Sequence, residues 1–413
     1  MFALALLAAA ASAPTERPCP PRVGPGVVCS TMRDAQGAWV LFARPAKPNG
    51  VLIVHAHGGP RLSAPAADDP DEDLDRFAAL VRAGYAWVGS SYRRGGFGVR
   101  MAATDVDRSR ALFWQFYGRP RLTLLHGQSW GGNIAAKLAE TGVLDDEGAK
   151  LYDGVLITNG ILAGAPQAYQ FRADLRVIYQ YYCRNHPAPG EPSYPLWRGL
   201  PADAPRMTRA ELRQRVEACT GVDRAPAERS PAQRSALANI LAVTGIAERQ
   251  LVQHLAYATF TFRDIVMRLG GRNPFDNSAT RYTGSTDDAA LNAGVERFRA
   301  DPEAVAALAF DTALSGRIVL PMLSLHAKGD PVVSARLDTG YAEQVAKAGN
   351  GRLLLTLFSD EADHSKLSDA EYVAVADALA AWATGDAKPD RAGIAARCQQ
   401  YARADQGCFF ADR

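Results

Sequence analysis

The feature that most constrains the fold of this chain is an alternation of short apolar runs with stretches of helical periodicity, which extends from Gly37 to about Gly160. The apolar runs occupy residues 38–42, 51–54, 85–89, 122–125 and 155–158. Short, nearly continuous apolar runs are typical of parallel strands that are covered on both faces and joined by crossover helices. The sequence therefore predicts an α/β fold with a mostly parallel sheet flanked by helices.

The alternation stops after Gly160 and resumes far downstream. The intervening residues contain helical stretches and proline-rich loops without a convincing strand. Strands and helices are again predicted at 319–326, 339–348, 353–358 and 369–384. A sheet that is interrupted and then completed indicates one domain with an insertion. The expected segments are core residues 37–162 and 317–384, a large helical cap inserted between them at 163–316, and terminal extensions at 14–36 and 385–413.

The first 13 residues are apolar and too short to span a bilayer. They suit the apolar region of a secretory signal peptide, with small residues for cleavage after Ala11 or Ala13. The alternative is a simple apolar terminal helix. No later stretch is long and apolar enough for a membrane span. A signal peptide over residues 1–13 predicts a secreted or periplasmic protein.

The six cysteines fall into three pairs that are local in sequence. The pairs are Cys19 with Cys29, Cys183 with Cys219, and Cys398 with Cys408. In an exported chain this pattern favours three local disulfides, although six cysteines allow 15 connectivities. Buried free thiols are the alternative. Spacings typical of metal ligands are absent, so no metal site is predicted.

The charge balance bears on the kind of partner. Lys and Arg total 46 and Asp and Glu total 44, which gives a formal net charge of +2. Such a balance is not typical of a protein that grips nucleic acid through its phosphates. We therefore expect a small-molecule substrate bound in a pocket, and no nucleic-acid partner.

The most specific motif is Gly-Gln-Ser-Trp-Gly at residues 127–131. It lies between the predicted strand 122–125 and a predicted helix at 133–140, which is the strand–turn–helix context that gives G-x-S-x-G its meaning. In such a tight turn the flanking residues must lack side chains, and the serine hydroxyl is left exposed. Ser129 is therefore the predicted nucleophile.

A serine nucleophile needs a base, and seven histidines allow selection by position. His364 lies in a loop after the last predicted strand, where the chain order serine, acid, histidine places the base, whereas His326 lies inside a predicted strand. Asp330 follows the strand before it and is the favoured acid. The competing acids lie on the loop of the histidine itself and are Asp360, Glu361 and Asp363.

The oxyanion of a tetrahedral intermediate needs preorganised donors. One expected donor is the backbone N–H of Trp130, the residue after the nucleophile. The other is expected in the loop His-Gly-Gly-Pro at residues 57–60, where Gly58 or Gly59 would let the backbone approach the substrate.

In this order, the His-Gly-Gly loop, the serine motif, Asp330 and His364 resemble the α/β-hydrolase superfamily over about residues 37–384. Residues 83–93 and the Gly-Gly-Phe-Gly stretch at 95–98 look like secreted bacterial esterases of the tannase and feruloyl-esterase type, and also like prolyl oligopeptidases. The stretch at 57–60 and the surroundings of Ser129 are similar to proline iminopeptidases. The chain departs from the iminopeptidases at Arg61 and from the tannases at Gln128.

The resemblance implies a serine hydrolase that cleaves carboxylic esters through an acyl-enzyme, without a metal or organic cofactor. A serine exopeptidase acting on short peptides is the first alternative, and a non-catalytic binding protein on the same fold is the second. In the cap, the aromatic side chains of Tyr179, Tyr182 and Trp197 are weak candidates for a substrate pocket, with an ordinary helix core as the alternative. The nearby charged residues Arg172, Asp174 and Arg176 are expected on a solvated helix face.

Overall fold

A computed structural model of the chain describes residues 13–201, 203, 207–403 and 406–412. The predicted signal peptide, residues 1–13, lies outside the described residues except for its last position. The described chain divides into two compact units. One comprises the residues up to Leu162 and those from Leu314 onward, and the other is Ala163–Ala313.

The described residues of the first unit form a sheet of ten strands. The strands are Thr15–Arg17 (β1), Val27–Arg33 (β2), Trp39–Pro45 (β3), Val51–Ala56 (β4), Ala86–Ser90 (β5), Leu122–Gln128 (β6), Gly154–Thr158 (β7), Met322–Ala327 (β8), Leu354–Ser359 (β9) and Phe410–Ala411 (β10). Their order in the sheet is β1-β2-β3-β5-β4-β6-β7-β8-β9-β10. The strands from β5 to β9 in this order pair in parallel, and β1, β2, β3 and β10 pair antiparallel.

The described residues also form α-helices on both sides of the interruption and within it. They are Asp71–Arg76 (α1), Ala78–Arg82 (α2), Val99–Tyr117 (α3), Trp130–Thr141 (α4), Gly164–Cys183 (α5), Arg209–Thr220 (α6), Pro231–Thr244 (α7), Leu251–Ala256 (α8), Phe262–Arg268 (α9), Asp288–Gly294 (α10), Pro302–Thr312 (α11), Arg336–Lys347 (α12), Asp369–Ala383 (α13) and Arg391–Gln399 (α14). Local chemistry sets several boundaries. For example, Ser368 caps α13 together with Glu371, each side chain bonding the backbone N–H of the other residue.

Helices flank the sheet as the sequence predicts. Helices α3 and α4 contact each other and strands β4 to β7, whereas α2 and α13 contact each other and strands β3, β7 and β8. Alternate residues of β4, Val51 and Ile53, belong to the buried apolar cluster that includes α2 and α13. Strand β4 is buried along its whole length, which explains its continuous apolar sequence.

The observed strands differ from the predicted ones at their ends. Strand β8 begins at Met322 and not at residue 319, and Val319 is exposed. Strands β4 and β6 continue past their apolar runs to include the buried side chains of His55 and His126. Strand pairing therefore extends further along β4 and β6 than hydrophobicity alone predicts. Polar side chains occupy the carboxyl ends of these strands.

Both terminal extensions contribute to the sheet, which the sequence did not predict. The N-terminal segment adds β1 and β2 beyond β3, and the C-terminal segment adds β10 beside β9. A disulfide lies next to each of these edges, Cys19–Cys29 at one and Cys398–Cys408 at the other, with S–S distances of 2.00 and 1.99 Å. The third predicted pair, Cys183–Cys219, joins α5 to α6. All three local pairs are thus the ones that the structure forms.

The second unit consists of helices α5 to α11 and their loops, and no strand occurs among its described residues. The prediction of a solvated charged face on α5 is wrong. Arg172 and Arg176 are 3% and 0% exposed, and Asp174 accepts a hydrogen bond from Tyr282. The guanidinium of Arg172 lies over aromatic rings, among them that of Tyr257 at 4.9 Å, which compensates in part for its lost hydration.

The described residues contain no helix that combines the length and the apolar character needed to cross a membrane.

Candidate active site

Three predicted residues come together at the carboxyl edge of the parallel strands. Ser129 directly follows β6, Asp330 follows β8, and His364 follows β9. Because β6, β7, β8 and β9 are parallel neighbours in the sheet, their carboxyl ends meet at one edge. Ligands of open α/β sheets bind at this edge.

The turn between β6 and α4 holds Ser129 in an unusual backbone conformation. Its φ is 57° and its ψ is −124°, a region that residues with side chains rarely adopt. A Cβ at Gly127 would lie 2.3 Å from the carbonyl oxygen of Gly131, and a Cβ at Gly131 would lie 2.0 Å from that of Ala56. Both flanking glycines are therefore required, as the sequence predicts.

The side chains of the three residues form a continuous hydrogen-bond chain. Ser129 Oγ lies 2.9 Å from His364 Nε2, and His364 Nδ1 donates to Asp330 Oδ2 over 2.6 Å. The Asp330 side chain is fully buried, and that of His364 is 18% exposed. An imidazole held between a hydroxyl and a buried carboxylate has the geometry to take the hydroxyl proton.

Asp330 is held on both of its oxygens. The backbone N–H groups of Val332 and Val333 donate to Oδ1 over 2.8 and 2.9 Å, and Asn159 Nδ2 donates to Oδ2 over 2.9 Å. Burial by itself raises the pKa of the Asp330 carboxyl, but the hydrogen bonds from His326 and His364 outweigh it and lower the pKa below its ordinary value. The carboxyl is therefore ionised.

The competing acids on the histidine loop have other surroundings. Asp360 pairs with Lys328 at 3.2 Å, and Asp363 pairs with Lys366 at 3.4 Å. Burial raises the pKa of Glu361. The carboxylate that faces His364 Nδ1 is that of Asp330.

Backbone strain is concentrated around this edge. Among the described residues that carry side chains, positive φ occurs at Tyr92, Ser129, Asn159, Arg184 and Ser365. Four of these belong to the first unit, and each follows a strand or, in the case of Ser365, follows His364 directly. Such conformations persist only where the surrounding structure enforces them, and they cluster at functional sites.

The glycine loop after β4 passes close to the serine. A Cβ at Gly58 would lie 3.2 Å from Ser129 Cβ and 2.4 Å from the side-chain oxygen of Gln128. Gly59 has a φ of 69°, and a Cβ there would meet nothing within 4 Å. The loop thus brings backbone donors to the neighbourhood of Ser129.

Gln128 is a residue of the site to which the sequence assigned no role. It is buried, it donates through Nε2 to Ser365 Oγ, and it accepts from Arg76 over 3.3 Å. The bond to Ser365 ties the strand before the serine to the loop that carries His364, and the bond from Arg76 ties it to α1. In the sequence, only the position of Gln128 beside the nucleophile could have indicated that it belongs to the site.

A second residue that the sequence set aside is His326, because it lies inside a strand. Its Nε2 is 3.4 Å from Asp330 Oδ2, and its Nδ1 is 2.5 Å from Asp338 Oδ2. Burial lowers its pKa, but the carboxylates of Asp338 and Asp330 outweigh burial and raise the pKa to about 10. We call His326, Asp330, Asp338 and His364 the Asp330 group.

A second buried histidine group lies at the ends of β4 and β6. His57 Nδ1 is 2.5 Å from Asp73 Oδ2, and His55 Nε2 is 3.6 Å from Asp73 Oδ1. The Nδ1 atoms of His55 and His126 are 3.0 Å apart, and His126 Nε2 is 3.0 Å from the hydroxyl of Thr158. We call Asp73, His55, His57 and His126 the Asp73 group.

The predicted pocket aromatics belong to the second unit. Tyr179 is buried and donates to Asn185 over 2.8 Å, and burial raises its pKa to about 12. Tyr182 packs edge-on against Tyr181, and Trp197 is half-buried. Their role in substrate binding stays a prediction.

The described residues contain no group of three His, Cys, Asp or Glu side chains arranged to hold a metal ion.

No protein-family model matches the chain, and no curated protein matches it. Among solved structures, the chain is similar to an esterase from Aspergillus oryzae with 14% identity, covering 87% of this chain and 80% of that one at a TM-score of 0.43. It is similar to lipase A of Candida antarctica in its closed state with 13% identity, coverage of 85% and 76%, and a TM-score of 0.42. It is also similar to LipA, a rice cell wall degrading esterase from Xanthomonas oryzae, with 14% identity, coverage of 86% and 89%, and a TM-score of 0.42.

The mostly parallel sheet is flanked by helices as predicted, with the serine turn between β6 and α4 and a helical segment inserted between β7 and β8. By this topology the chain has the α/β-hydrolase fold.

Proposed function

We propose that this chain is a serine hydrolase that cleaves carboxylic esters through an acyl-enzyme. The observation that carries the proposal is the hydrogen-bond chain from Ser129 Oγ through His364 to Asp330, with distances of 2.9 and 2.6 Å. The buried, ionised Asp330 would hold the His364 tautomer that leaves Nε2 free to accept the serine proton.

In the acylation step, Ser129 Oγ attacks the ester carbonyl carbon while His364 Nε2 takes the hydroxyl proton. The carbonyl oxygen becomes an oxyanion, which accepts hydrogen bonds from the backbone N–H groups of Trp130 and of Gly58 or Gly59. The tetrahedral intermediate then breaks the ester C–O bond, and the alcohol leaves with the proton from His364.

Deacylation repeats these steps with water as the nucleophile. His364 takes a proton from the water, whose oxygen attacks the acyl carbon, and the same donors hold the second oxyanion. Collapse returns the proton to Ser129 Oγ and releases the carboxylic acid. Asp330 stabilises the imidazolium that forms in both halves of the cycle and is not itself protonated.

The first prediction concerns Ser129. We expect a fluorophosphonate probe to label Ser129 and Ser129→Ala to lower kcat for short p-nitrophenyl esters roughly a millionfold, because the nucleophile is lost. The measurement is intact-protein mass spectrometry with ester kinetics. Ser193→Ala, which changes an exposed serine of the second unit, is the matched control and should label and turn over normally. A Ser129→Ala protein that kept esterase activity would overturn the proposal.

The same machinery serves a serine exopeptidase, so the substrate class needs its own measurement. Turnover of p-nitrophenyl acylates should exceed turnover of aminoacyl-p-nitroanilides. Rapid anilide release with negligible ester cleavage would replace esters by short peptides as the substrate. A protein that neither labels nor turns over would be a binding protein on this fold.

We further propose that the protein works in an oxidising compartment, as a secreted or periplasmic enzyme. The support is the set of three disulfides, because such bonds form and persist outside the reducing cytosol.

A further inference from the structure

The row of titratable side chains at the site does not end at Asp330. Beyond it lie His326 and then Asp338, with His326 Nε2 at 3.4 Å from Asp330 Oδ2 and His326 Nδ1 at 2.5 Å from Asp338 Oδ2. The side chains of all three are completely buried. The buried row Asp338–His326–Asp330 thus continues the line that begins at Ser129 and His364.

The partners of His326 determine its protonation state. Its Nε2 is also 3.0 Å from the carbonyl oxygen of Val333, and a carbonyl oxygen only accepts hydrogen bonds. Its Nδ1 faces Asp338, whose other oxygen accepts a hydrogen bond from Ser324 Oγ. A neutral imidazole has one donor and one acceptor, but both ring nitrogens here face acceptors. His326 therefore carries two ring protons and a positive charge.

This cation supplies the charge that the buried Asp330 otherwise lacks. A buried carboxylate needs a compensating charge as well as hydrogen bonds, and the remaining partners of Asp330 are neutral when His364 acts as a base. Asn159 and the N–H groups of Val332 and Val333 contribute only dipoles.

We propose that His326 is a positioning residue of the active site: a buried imidazolium, anchored by Asp338, that holds Asp330 ionised and reduces the negative charge that His364 experiences. This inference rests on the proposed function. Without the cation, the full charge of Asp330 would stabilise protonated His364. His364 would then become an unprotonated base only at a higher pH than in the wild type.

The charged groups that face His326 are few. Asp330 follows its own strand and Asp338 lies on α12, and both are carboxylates. Strand β9 places Phe358 opposite His326, and the end of β7 contributes the uncharged Asn159 through Asp330. The titrating neighbour that removal of the cation would affect is therefore His364, across Asp330.

The experiment compares the pH dependence of kcat/KM in the wild type and in the double variant His326→Gln with Asp338→Asn. The pair of substitutions removes one positive and one negative charge together, so neither is left buried alone. We expect the midpoint of the acid limb to rise by about one pH unit, because the lost cation lies between Asp330 and Asp338 and is therefore nearer to His364 than the anion that is lost with it. At pH values above the limb, kcat/KM should stay within about tenfold of the wild type.

A purely structural role predicts something different, namely a uniform loss at every pH with an unchanged midpoint, and that result would overturn the inference. His186→Gln is the matched control, since it changes a buried histidine of the second unit that bonds the Thr259 hydroxyl and not a carboxylate. Its midpoint should match the wild type.

A second measurement uses the wild-type protein and does not depend on the folding of a variant. The ring ¹⁵N and ¹H resonances of His326 should show both nitrogens protonated, without change between pH 6 and 8. A neutral ring at pH 8 would sink the inference while leaving probe labelling at Ser129 intact. Absence of labelling would instead remove the proposed function, so the two failures are distinguishable.

Discussion

The two buried histidine groups of the first unit lie at the same edge of one sheet, and the pKa values of their inner histidines are shifted in opposite directions. In the Asp330 group, His326 faces two carboxylates, which raise its pKa to about 10 in spite of burial. In the Asp73 group three histidines share one carboxylate, and burial lowers the pKa of both His55 and His126. Burial alone therefore does not decide the charge of a histidine; the number of carboxylates per ring does.

The hydrogen bonds of the Asp73 group agree with neutral rings. If His55 Nε2–H faces Asp73, then its Nδ1 accepts from His126 Nδ1–H, and His126 Nε2 accepts from the Thr158 hydroxyl. This arrangement places one proton on each of the two rings, so both are neutral. Burial by itself raises the pKa of Asp73, but His57 and His55 outweigh it and lower the pKa well below its ordinary value.

The largest expected effect comes from removing the central carboxylate of the Asp330 group. Asp330→Asn should lower kcat for p-nitrophenyl esters about ten-thousandfold at pH 8, because His364 loses the acceptor that sets its tautomer. Steady-state kinetics measures this. Asp360→Asn is the control, since that carboxylate pairs with Lys328 near the surface and should matter little. The reverse ranking of the two variants would assign the acid to the histidine loop.

A smaller effect is expected from the corresponding change in the Asp73 group. Asp73→Asn should lower the free energy of unfolding by about 2–3 kcal/mol at pH 7, because the buried carboxylate that accepts a hydrogen bond from His57 is lost. Urea denaturation gives this value. Asp68→Asn, an exposed change in the same segment, should leave stability nearly unaltered. Equal stabilities of the two variants would show that the contact between Asp73 and His57 contributes nothing to folding.

The smallest effect is a change in how stability depends on pH. The pKa of His126 is lowered in the fold, so below about pH 6.5 the unfolded chain binds a proton that the folded chain does not. Stability should therefore fall with falling pH, by up to about 1.4 kcal/mol per pH unit for each such histidine. In His126→Gln the slope of the unfolding free energy against pH, between pH 6.5 and 5, should correspond to one proton fewer taken up on unfolding.

Urea titrations at several pH values measure this slope. Thr123→Ser, which changes a buried residue of the same strand that does not titrate, should alter stability without altering the slope. An unchanged slope in His126→Gln would mean that His126 is charged in the fold, and the contrast with His326 would disappear.

Much of the site was accessible from the sequence because its parts are local or ordered along the chain. The glycines on either side of Ser129 are demanded by contacts within a single turn and its neighbouring strand, so a short motif indicates them. His364 and Asp330 follow from the order of strands. The structure places both within hydrogen-bond distance of the expected partners.

The residues that sequence reasoning missed depend on partners distant in the chain. His326 reads as one more strand residue, and nothing nearby shows that Asp338, twelve positions later, would face it. On α5, the charges of Arg172 and Arg176 predict a solvated face, yet rings and hydroxyls from other segments of the same unit bury them. The burial of a charge is settled by packing and not by its local pattern.

The edges of the sheet show the same limit. Strands β1 and β10 are short, and β2 is longer but only partly apolar, so hydrophobicity does not distinguish these antiparallel strands from loops. Their pairing with the sheet supplies the regularity that their own sequences lack.

The sequence by itself determined the α/β class and the local cysteine pairs. It also predicted the insertion and the roles of serine, acid and base, because each prediction follows from a short-range pattern or from chain order. Only the tertiary structure decided that His326 and Asp338 extend the line behind Asp330, and that the Asp73 group beside the glycine loop is neutral at its inner rings. The physical reason is that desolvation and Coulomb interaction depend on distances in space, which bring together residues far apart in the chain.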